Sequence, residues 1–424
     1  MLPRFILRIA ALGLKFALAI VVARTLGFDA VGAYGLAVAI SVMASKVLGL
    51  GFSPELNRRL SEAEPWPALR ETRVLAVRYG GLYLLLGALF AIPTLSGATT
   101  DAFGLPSRLA WGVLLVALSE HAAFEANSWM FSLHRPRTGS WLLFIRTGAW
   151  AGIACAGLIL HVLHSIEAVL ALWFASNALV VAIAWRCIGA LTRHTRPARS
   201  SADARNGPGV FAVWRRGLPF YSAGVILATL QYAERFIAAG HLSADALGRY
   251  VFAWSIANAV QTVAFATVSV TAGPRFVRTL ADTPAAFHGQ LARAAVASVA
   301  ITMLASAAIL ALHEDVFLIA HESASANDVA MLAVLLVSFV LRSVADVLWT
   351  ATIALRAGTS VLLSMAAIAL SYLPVAWRLI AEAGATGAAF AHLAVSAAIT
   401  VSLALIVTRG KAARTLRRAT SDAT

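Results

Sequence analysis

Charge is what this sequence has little of. Asp, Glu, Lys and Arg make up 13% of its 424 residues. Ordinary soluble domains carry about a quarter, so a soluble enzyme is excluded. Acid is scarcer than base: 20 Asp and Glu stand against 34 Lys and Arg, a formal net charge of +14. Lysine is scarcest, found only as Lys15, Lys46 and Lys411. There are two cysteines, Cys155 and Cys187, both in apolar stretches, which excludes a disulfide framework and a cysteine-based metal cluster. Short strands of alternating polarity are missing as well, and with them a transmembrane β-barrel.

What is present is apolar sequence in long runs. Hydrophobic residues make up 60% of the chain and the mean hydropathy is +0.80. At roughly 20 residues per span, the runs between polar breaks predict about twelve transmembrane helices. They lie near 4–24, 30–52, 74–94, 108–132, 140–160, 167–188, 216–239, 246–272, 289–312, 328–350, 358–378 and 384–408. The first could be mistaken for a signal peptide, but Lys15 interrupts its apolar core and a second span follows at once, so it reads as a retained helix.

The arginines set the orientation. Arg58, Arg59, Arg70, Arg73, Arg135, Arg137, Arg275, Arg278 and Arg356 fall in one set of loops, with further arginines in the middle connection and the tail. The alternate loops hold Asp29, Asp101, Glu314, Asp315 and Glu322, with Arg24 the main exception. By the positive-inside rule both termini are cytoplasmic. The outward loops are short, at most about 15 residues by this span placement, and leave no room for an external catalytic domain. The organisation expected is an N-terminal six-helix lobe at 1–188, a basic cytoplasmic linker at 189–215, a C-terminal six-helix lobe at 216–408 and a basic cytoplasmic tail at 409–424.

The two lobes repeat one another. Shifted by 216 positions, Leu2-Pro3 falls on Leu218-Pro219, and Asp29-Ala30-Val31-Gly32-Ala33-Tyr34 falls on Asp245-Ala246-Leu247-Gly248-Arg249-Tyr250. Leu14, Ala17, Ala23, Leu26, Ala37 and Ile40 also meet identical residues. The competing explanation is shared helix-start chemistry, with Asp29 and Asp245 as N-caps. An even number of spans per lobe relates the repeats by an axis along the membrane normal, as in the halves of rocking transporters.

At these residues a family resemblance appears. Arg24-Thr25-Leu26-Gly27-Phe28-Asp29-Ala30-Val31-Gly32-Ala33-Tyr34-Gly35 resembles the first turn of the polysaccharide transporter, or O-antigen flippase, family of the multidrug/oligosaccharidyl-lipid/polysaccharide exporter superfamily. Leu48-Gly49-Leu50-Gly51-Phe52, followed by Arg58 and Arg59, is similar to its second-helix end, and Leu242 to Tyr250 repeats the first motif. The resemblance implies two six-helix lobes in a V that open alternately to each side and carry a lipid-linked oligosaccharide to the outer leaflet. The Asp-Arg pair it implies late in helix seven is Glu234-Arg235 here.

Charges inside the spans nominate the site. An ionisable group near the bilayer centre costs at least ~2.5 kcal/mol and usually faces an interior cavity. Arg4, Arg8 and Lys15 lie within about 40° on the first helix, a basic stripe from the cytoplasmic mouth to mid-membrane. Arg78 and Arg146 begin a turn or two inside the cytoplasmic face, within snorkelling reach of the interface. Arg8, Lys15, Lys46, Arg146 and Arg342 are the substrate candidates, since a basic excess attracts a diphosphate. Arg342 and Asp346 are also spaced for a local ion pair. Glu120, Glu125 and Asp346 are the coupling-ion candidates for H⁺ or Na⁺. His121 shares a face with Glu125, and Glu120 points elsewhere; the alternative for this group is simply to neutralise Lys15. Trp111, Trp129, Trp141, Trp150 and Trp254 are candidates for stacking on sugars or for interfacial packing.

The expectation is therefore an all-α polytopic membrane protein that is not an enzyme and holds no cofactor. It flips a polyprenyl-diphosphate-linked oligosaccharide across the bacterial inner membrane for surface polysaccharide such as O-antigen, capsule or exopolysaccharide. Its partners are that substrate, membrane lipid and other polysaccharide-assembly proteins, with no nucleic acid. The alternatives are an ion-coupled multidrug exporter of the same superfamily, a membrane polymerase or ligase, and a purely structural protein. A phosphate-loop ATPase is excluded, because the only Gly-Lys pair, Gly410-Lys411, lacks the loop's glycine context.

Overall fold

The computed structural model describes residues 2–61, 65–95, 106–194, 210–319 and 325–421, and among these every regular element is helical. The first half contains α1 (Leu2–Leu26), α2 (Phe28–Leu48), α3 (Ser53–Leu60), α4 (Trp66–Leu95), α5 (Ser107–Ser132), α6 (Pro136–Phe144), α7 (Trp150–Ile159) and α8 (Ile166–His194). The second contains α9 (Val210–Ala239), α10 (Ala244–Ala264), α11 (Val270–Asp282), α12 (Phe287–Ala311), α13 (His313–Ile319), α14 (Ala326–Ala354) and α15 (Gly358–Ser421). A π-helical turn, Ile145–Ala149, joins α6 to α7, and another, Phe265–Ser269, joins α10 to α11.

Among the described residues, nine segments are long and apolar enough to cross a membrane. The last, Gly358–Arg409, holds two of the expected spans, because Gly384 at φ 59° breaks α15 between them. At that break a Cβ on Gly387 would collide with the carbonyl oxygen of Leu379, so the turn requires glycine there. The first and seventh expected spans coincide with α1 and α9, the helices that carry Lys15 and the Glu234-Arg235 pair. The protein is a polytopic all-α membrane protein.

Two compact units divide at Met1–Leu218 and Pro219–Thr424. The helices reach further into the connection than the apolar runs suggest: α8 continues to His194 and α9 begins at Val210. In the first unit α5 packs between α2 and α8. Leu56 and Leu60 of α3 enter a core with Leu69, Trp129, Leu142 and Val180. In the second unit α14 plays the central part against α10, α12 and α15, around Phe276, Phe287, Leu348, Met365 and Val395. Hydroxyls within the helices donate back to carbonyls one turn earlier, as Thr25 does to Val21 at 2.7 Å and Ser140 to Pro136 at 2.7 Å. This satisfies them where no water is at hand.

Three local outcomes differ from the sequence reading. The caps are not the aspartates: Gly27 at φ 84° precedes α2, and Ser243 accepts from the Ala246 amide ahead of α10. Asp29 and Asp245 lie inside the first turns, where they face the positive end of the helix dipole. The second span ends at Leu48, short of residue 52, because Leu50 (φ 47°) and Gly51 (φ 74°) are both left-handed. Finally, the 216-residue shift puts Gly49 on Phe265, the first residue of the second π turn. One repeat breaks its helix where the other absorbs an extra residue and continues.

Candidate substrate and ion sites

The charged residues of the first unit separate into two groups on opposite sides of α5. The first surrounds Lys15. Arg146, carried by the π turn, donates to Glu120 Oε1 at 2.8 Å, and the Trp173 indole donates to Glu120 Oε2 at 3.1 Å. Both oxygens of that carboxylate are therefore engaged by α6–α7 and α8. The Lys15 Nζ lies over the Trp173 ring, 5.4 Å from its centroid, and Trp173 is itself stacked on Trp150 at 4.8 Å. Among the described residues no carboxylate bonds to Lys15. With Glu120 neutralised by Arg146, one positive charge is left over.

The backbone that makes this arrangement is close-packed. A Cβ on Gly148 would lie 2.5 Å from the Cα of Ala11, so α1 and the π turn cross with backbone nearly on backbone. Arg146 is thus held inward, its side chain only 11% exposed. Snorkelling does not describe it, because the bulge turns it toward Glu120 and away from the interface.

The second group lies toward α3 and α4. His121 and Glu125, one turn apart on α5, are both fully buried. Ser53 donates to Glu125 Oε1 at 2.5 Å, and Tyr83 bonds His121 Nδ1 at 2.6 Å. Tyr79 packs edge-on to His121 and donates to the Gly49 carbonyl at 3.2 Å. Among the described residues, Glu125 Oε2 and His121 Nε2 are buried without a hydrogen-bond partner. Just beyond, Asn57 donates to Ser128 at 2.8 Å and accepts from Ser132 at 3.1 Å, so α3 is tied along α5. The sequence placed His121 and Glu125 on one face and Glu120 on another, and the helix periodicity carries that into the structure.

The second unit holds one larger buried centre. Glu234 accepts from Tyr250 of α10 at 3.1 Å and from Tyr372 of α15 at 3.5 Å. Arg235 lies 3.8 Å from the centroid of Trp254 and 5.1 Å from that of Tyr232. Arg342 and Asp346, spaced for a local ion pair, take their hydrogen bonds from different partners: Arg342 donates to Gln231 at 3.1 Å, and Asp346 accepts from Gln261 at 2.6 Å. Among the described residues, Nε and Nη1 of Arg342 are buried without a hydrogen-bond partner. His392 bonds Ser338 at 2.6 Å and packs on Phe339.

Of the substrate candidates, then, Lys15 and Arg146 share one site. Arg342 belongs to the second unit's centre, and Lys46 is exposed in the last turn of α2 and joins none of these bonds. The side chain of Arg8 lies outside the described residues. The coupling-ion candidates occupy three separate places: Glu120 beside Arg146, Glu125 beside Ser53, and Asp346 beside Gln261. The tryptophans proposed to stack on sugars are largely taken. Trp129, Trp150 and Trp254 are buried, Trp111 meets Phe90 edge-on, and Trp141 is exposed on the outer surface. The residues missed from the sequence were neutral: Trp173, Tyr83, Gln231 and Gln261. One of them carried a signal, since the 216-residue shift puts Lys15 on Gln231.

The family model described as "Polysaccharide biosynthesis protein" matches residues 5–280, well over half of the chain. The chain belongs to that family. No curated protein sequence matches it. Among solved structures it is similar to the lipid II flippase MurJ in an inward closed conformation, with TM-score 0.70 and 12% identity over 96% of this chain and 88% of that one. It is equally similar to an inward-facing multidrug resistance MATE family transporter of the MOP superfamily, with TM-score 0.69 and 16% identity over 96% of each chain. A MATE protein in its bent conformation superposes at TM-score 0.60 and 14% identity over 98% of this chain and 95% of that one. These likenesses establish the fold that the family member adopts.

Proposed function

We propose that this protein is a flippase that moves a polyprenyl-diphosphate-linked oligosaccharide from the cytoplasmic to the outer leaflet of the bacterial inner membrane by alternating access, in the assembly of a surface polysaccharide such as O-antigen, capsule or exopolysaccharide. One observation carries the reading: among the described residues no carboxylate bonds to Lys15, an intramembrane ammonium, because Arg146 and Trp173 occupy both oxygens of Glu120. A cation so placed favours an anionic ligand, since charge-assisted hydrogen bonds to phosphate are about twice as strong as neutral ones. The diphosphate exchanges the ring contact for such bonds, and Arg146, paired with Glu120 beside it, leaves the Lys15 charge as the surplus. The coupling ion, H⁺ or Na⁺, is assigned to Glu125 or Asp346, whose carboxylates meet only neutral donors within hydrogen-bond distance.

The family's polysaccharide description supports this reading, and so does the likeness to a lipid II flippase. The equal likeness to MATE transporters favours a second reading, an ion-coupled multidrug exporter. Replacement of Lys15 separates the two. Lys15→Gln at normal protein level stops surface glycan display and accumulates the complete lipid-linked unit on the cytoplasmic face. Unchanged display together with increased sensitivity to cationic drugs transfers the assignment to the exporter. Lys15→Arg separates a need for charge from a need for the compact ammonium.

A further inference from the structure

The helix α4 packs in a manner unlike its neighbours. Only 6% of its apolar window is buried, against 61% for α14. Its inner face is narrow: Ala68, Leu69, Thr72 and Tyr79 are buried. Half-buried Tyr83 and Phe90 continue that face against His121 and Trp111, and the opposite side faces outward, where a membrane protein meets lipid. On that outward side the first turns present Arg70, Arg73 and Arg78, and the later turns present Leu84, Leu85, Leu89 and Ile92.

Depth fixes what these arginines meet. From Tyr79 to Leu95 the helix rises about 25 Å at 1.5 Å per residue, nearly the ~30 Å hydrocarbon thickness of a bilayer. Arg78 therefore sits where hydrocarbon gives way to headgroups. Arg70 lies about 12 Å further out along the same helix, among the headgroups. Among the described residues neither Arg70 nor Arg78 forms an ion pair, and the nearby Glu71 is bonded to Arg59 at 2.9 Å. Two outward arginines elsewhere are satisfied by the protein itself. Arg293 donates to the Gly289 carbonyl at 3.2 Å, and Arg378 pairs with Glu382 at 2.8 Å. Directly above Arg78, Gly81 is exposed, and a Cβ added to it would have nothing within 4 Å. The helix thus offers one guanidinium group at the edge of the hydrocarbon, a second about 12 Å further toward the cytoplasm, a notch above them, and an aliphatic wall.

We propose that the outward face of α4, with Arg70 and Arg78 at its foot and Gly81 above, is a docking site for an anionic phospholipid of the cytoplasmic leaflet. Arg78 holds its phosphate, Arg70 attracts the headgroup from the cytoplasmic side, and an acyl chain lies in the notch. The amphipathy of the site matches that of a phospholipid: positive at the interface, apolar for the remaining depth. Polar or acidic protein partners would leave the leucine wall uncovered. Guanidinium suits the task, since it binds phosphate through two parallel bonds and is less strongly hydrated than ammonium. Orientation comes from the arginine bias of the loops, which places this end of α4 on the cytoplasmic side.

The test uses the full-length protein in nanodiscs of phosphatidylcholine with rising fractions of phosphatidylglycerol carrying the same acyl chains. Lipid retained after brief delipidation is counted by native mass spectrometry, and melting is recorded in parallel. Wild-type protein is expected to retain phosphatidylglycerol preferentially. The Arg70→Gln/Arg78→Gln variant is expected to lose roughly tenfold of that preference. Gly81→Leu, with both charges intact, should lose much of it too, while Arg293→Gln keeps it. Because these side chains face outward, melting in pure phosphatidylcholine should be unchanged. Should the double variant fail to fold, Gly81→Leu carries the test alone. Equal retention of the two lipids by the wild type overturns the proposal, as does full preference in the double variant or in Gly81→Leu. An equal loss in Arg293→Gln, or the same stabilisation from inorganic phosphate, also overturns it, by pointing to general positive charge or to a free anion.

Discussion

At the scale of single residues, the first unit turns on how one carboxylate is shared. Glu120 has Lys15 and Arg146 near it and gives both oxygens to Arg146 and Trp173. Breaking a mostly buried pair leaves an uncompensated charge, which costs about 3–5 kcal/mol, whereas removing both members leaves none. Glu120→Gln and Arg146→Gln are thus each expected to lower the melting temperature substantially, and the double variant to melt well above the sum of their losses. A double-mutant cycle in detergent should return a coupling of about 1–3 kcal/mol, and strict additivity would show that the pair is not an energetic unit. The spacing of Glu120, His121 and Glu125 made their two faces legible in the sequence. The partner of each was not, because Trp173 and Ser53 are brought to α5 from helices 53 residues after Glu120 and 72 before Glu125.

At the scale of elements, the crossing of α1 with the π turn sets where Lys15 and Arg146 stand. Two glycines line that crossing and differ in what their missing side chains spare. A Cβ on Gly148 meets the Cα of Ala11 at 2.5 Å, which is backbone and cannot swing aside. One on Gly152 meets Cδ1 of Leu14 at 3.3 Å, the flexible end of a side chain. Gly148→Ala is therefore expected to displace α1 and destabilise by about 1–3 kcal/mol, as overpacking does, with loss of glycan display. Gly152→Ala should remain within about 0.5 kcal/mol of wild type. Equal melting temperatures for the two variants would show that the close crossing is absent in the membrane. The π turn has no recognisable signature in the sequence. An added residue per turn is chosen by what the helix packs against, and it separates one repeat from the other at Gly49 and Phe265.

At the scale of the whole molecule, the arginine bias predicts which loops face which side. With Cys155 and Cys187 replaced by alanine, single cysteines at Ser61 or Arg137, both exposed, should react with an impermeant maleimide only when the cytoplasmic face is open to it. Cysteines at His164 or Ser243, also exposed, should react in intact spheroplasts. The reverse pattern would invert the topology and with it the direction of transport.

The sequence by itself determined the fold class and the number and placement of the apolar runs, and it carries the expectation of a division near residue 216 and of a duplication. Each rests on composition, on the length of an apolar run or on identity at a fixed shift, and a bilayer admits few solutions to such a pattern: backbone groups with no water nearby must bond within helices. Tertiary structure alone decided which charges became partners. Arg342 and Asp346, which helix spacing places near each other, take their hydrogen bonds from Gln231 and Gln261, and Arg146 turned inward on a π turn. In a medium of low dielectric an ion takes whichever donor or acceptor packing brings within about 3 Å, and that choice belongs to neighbouring helices rather than to the segment that carries the charge.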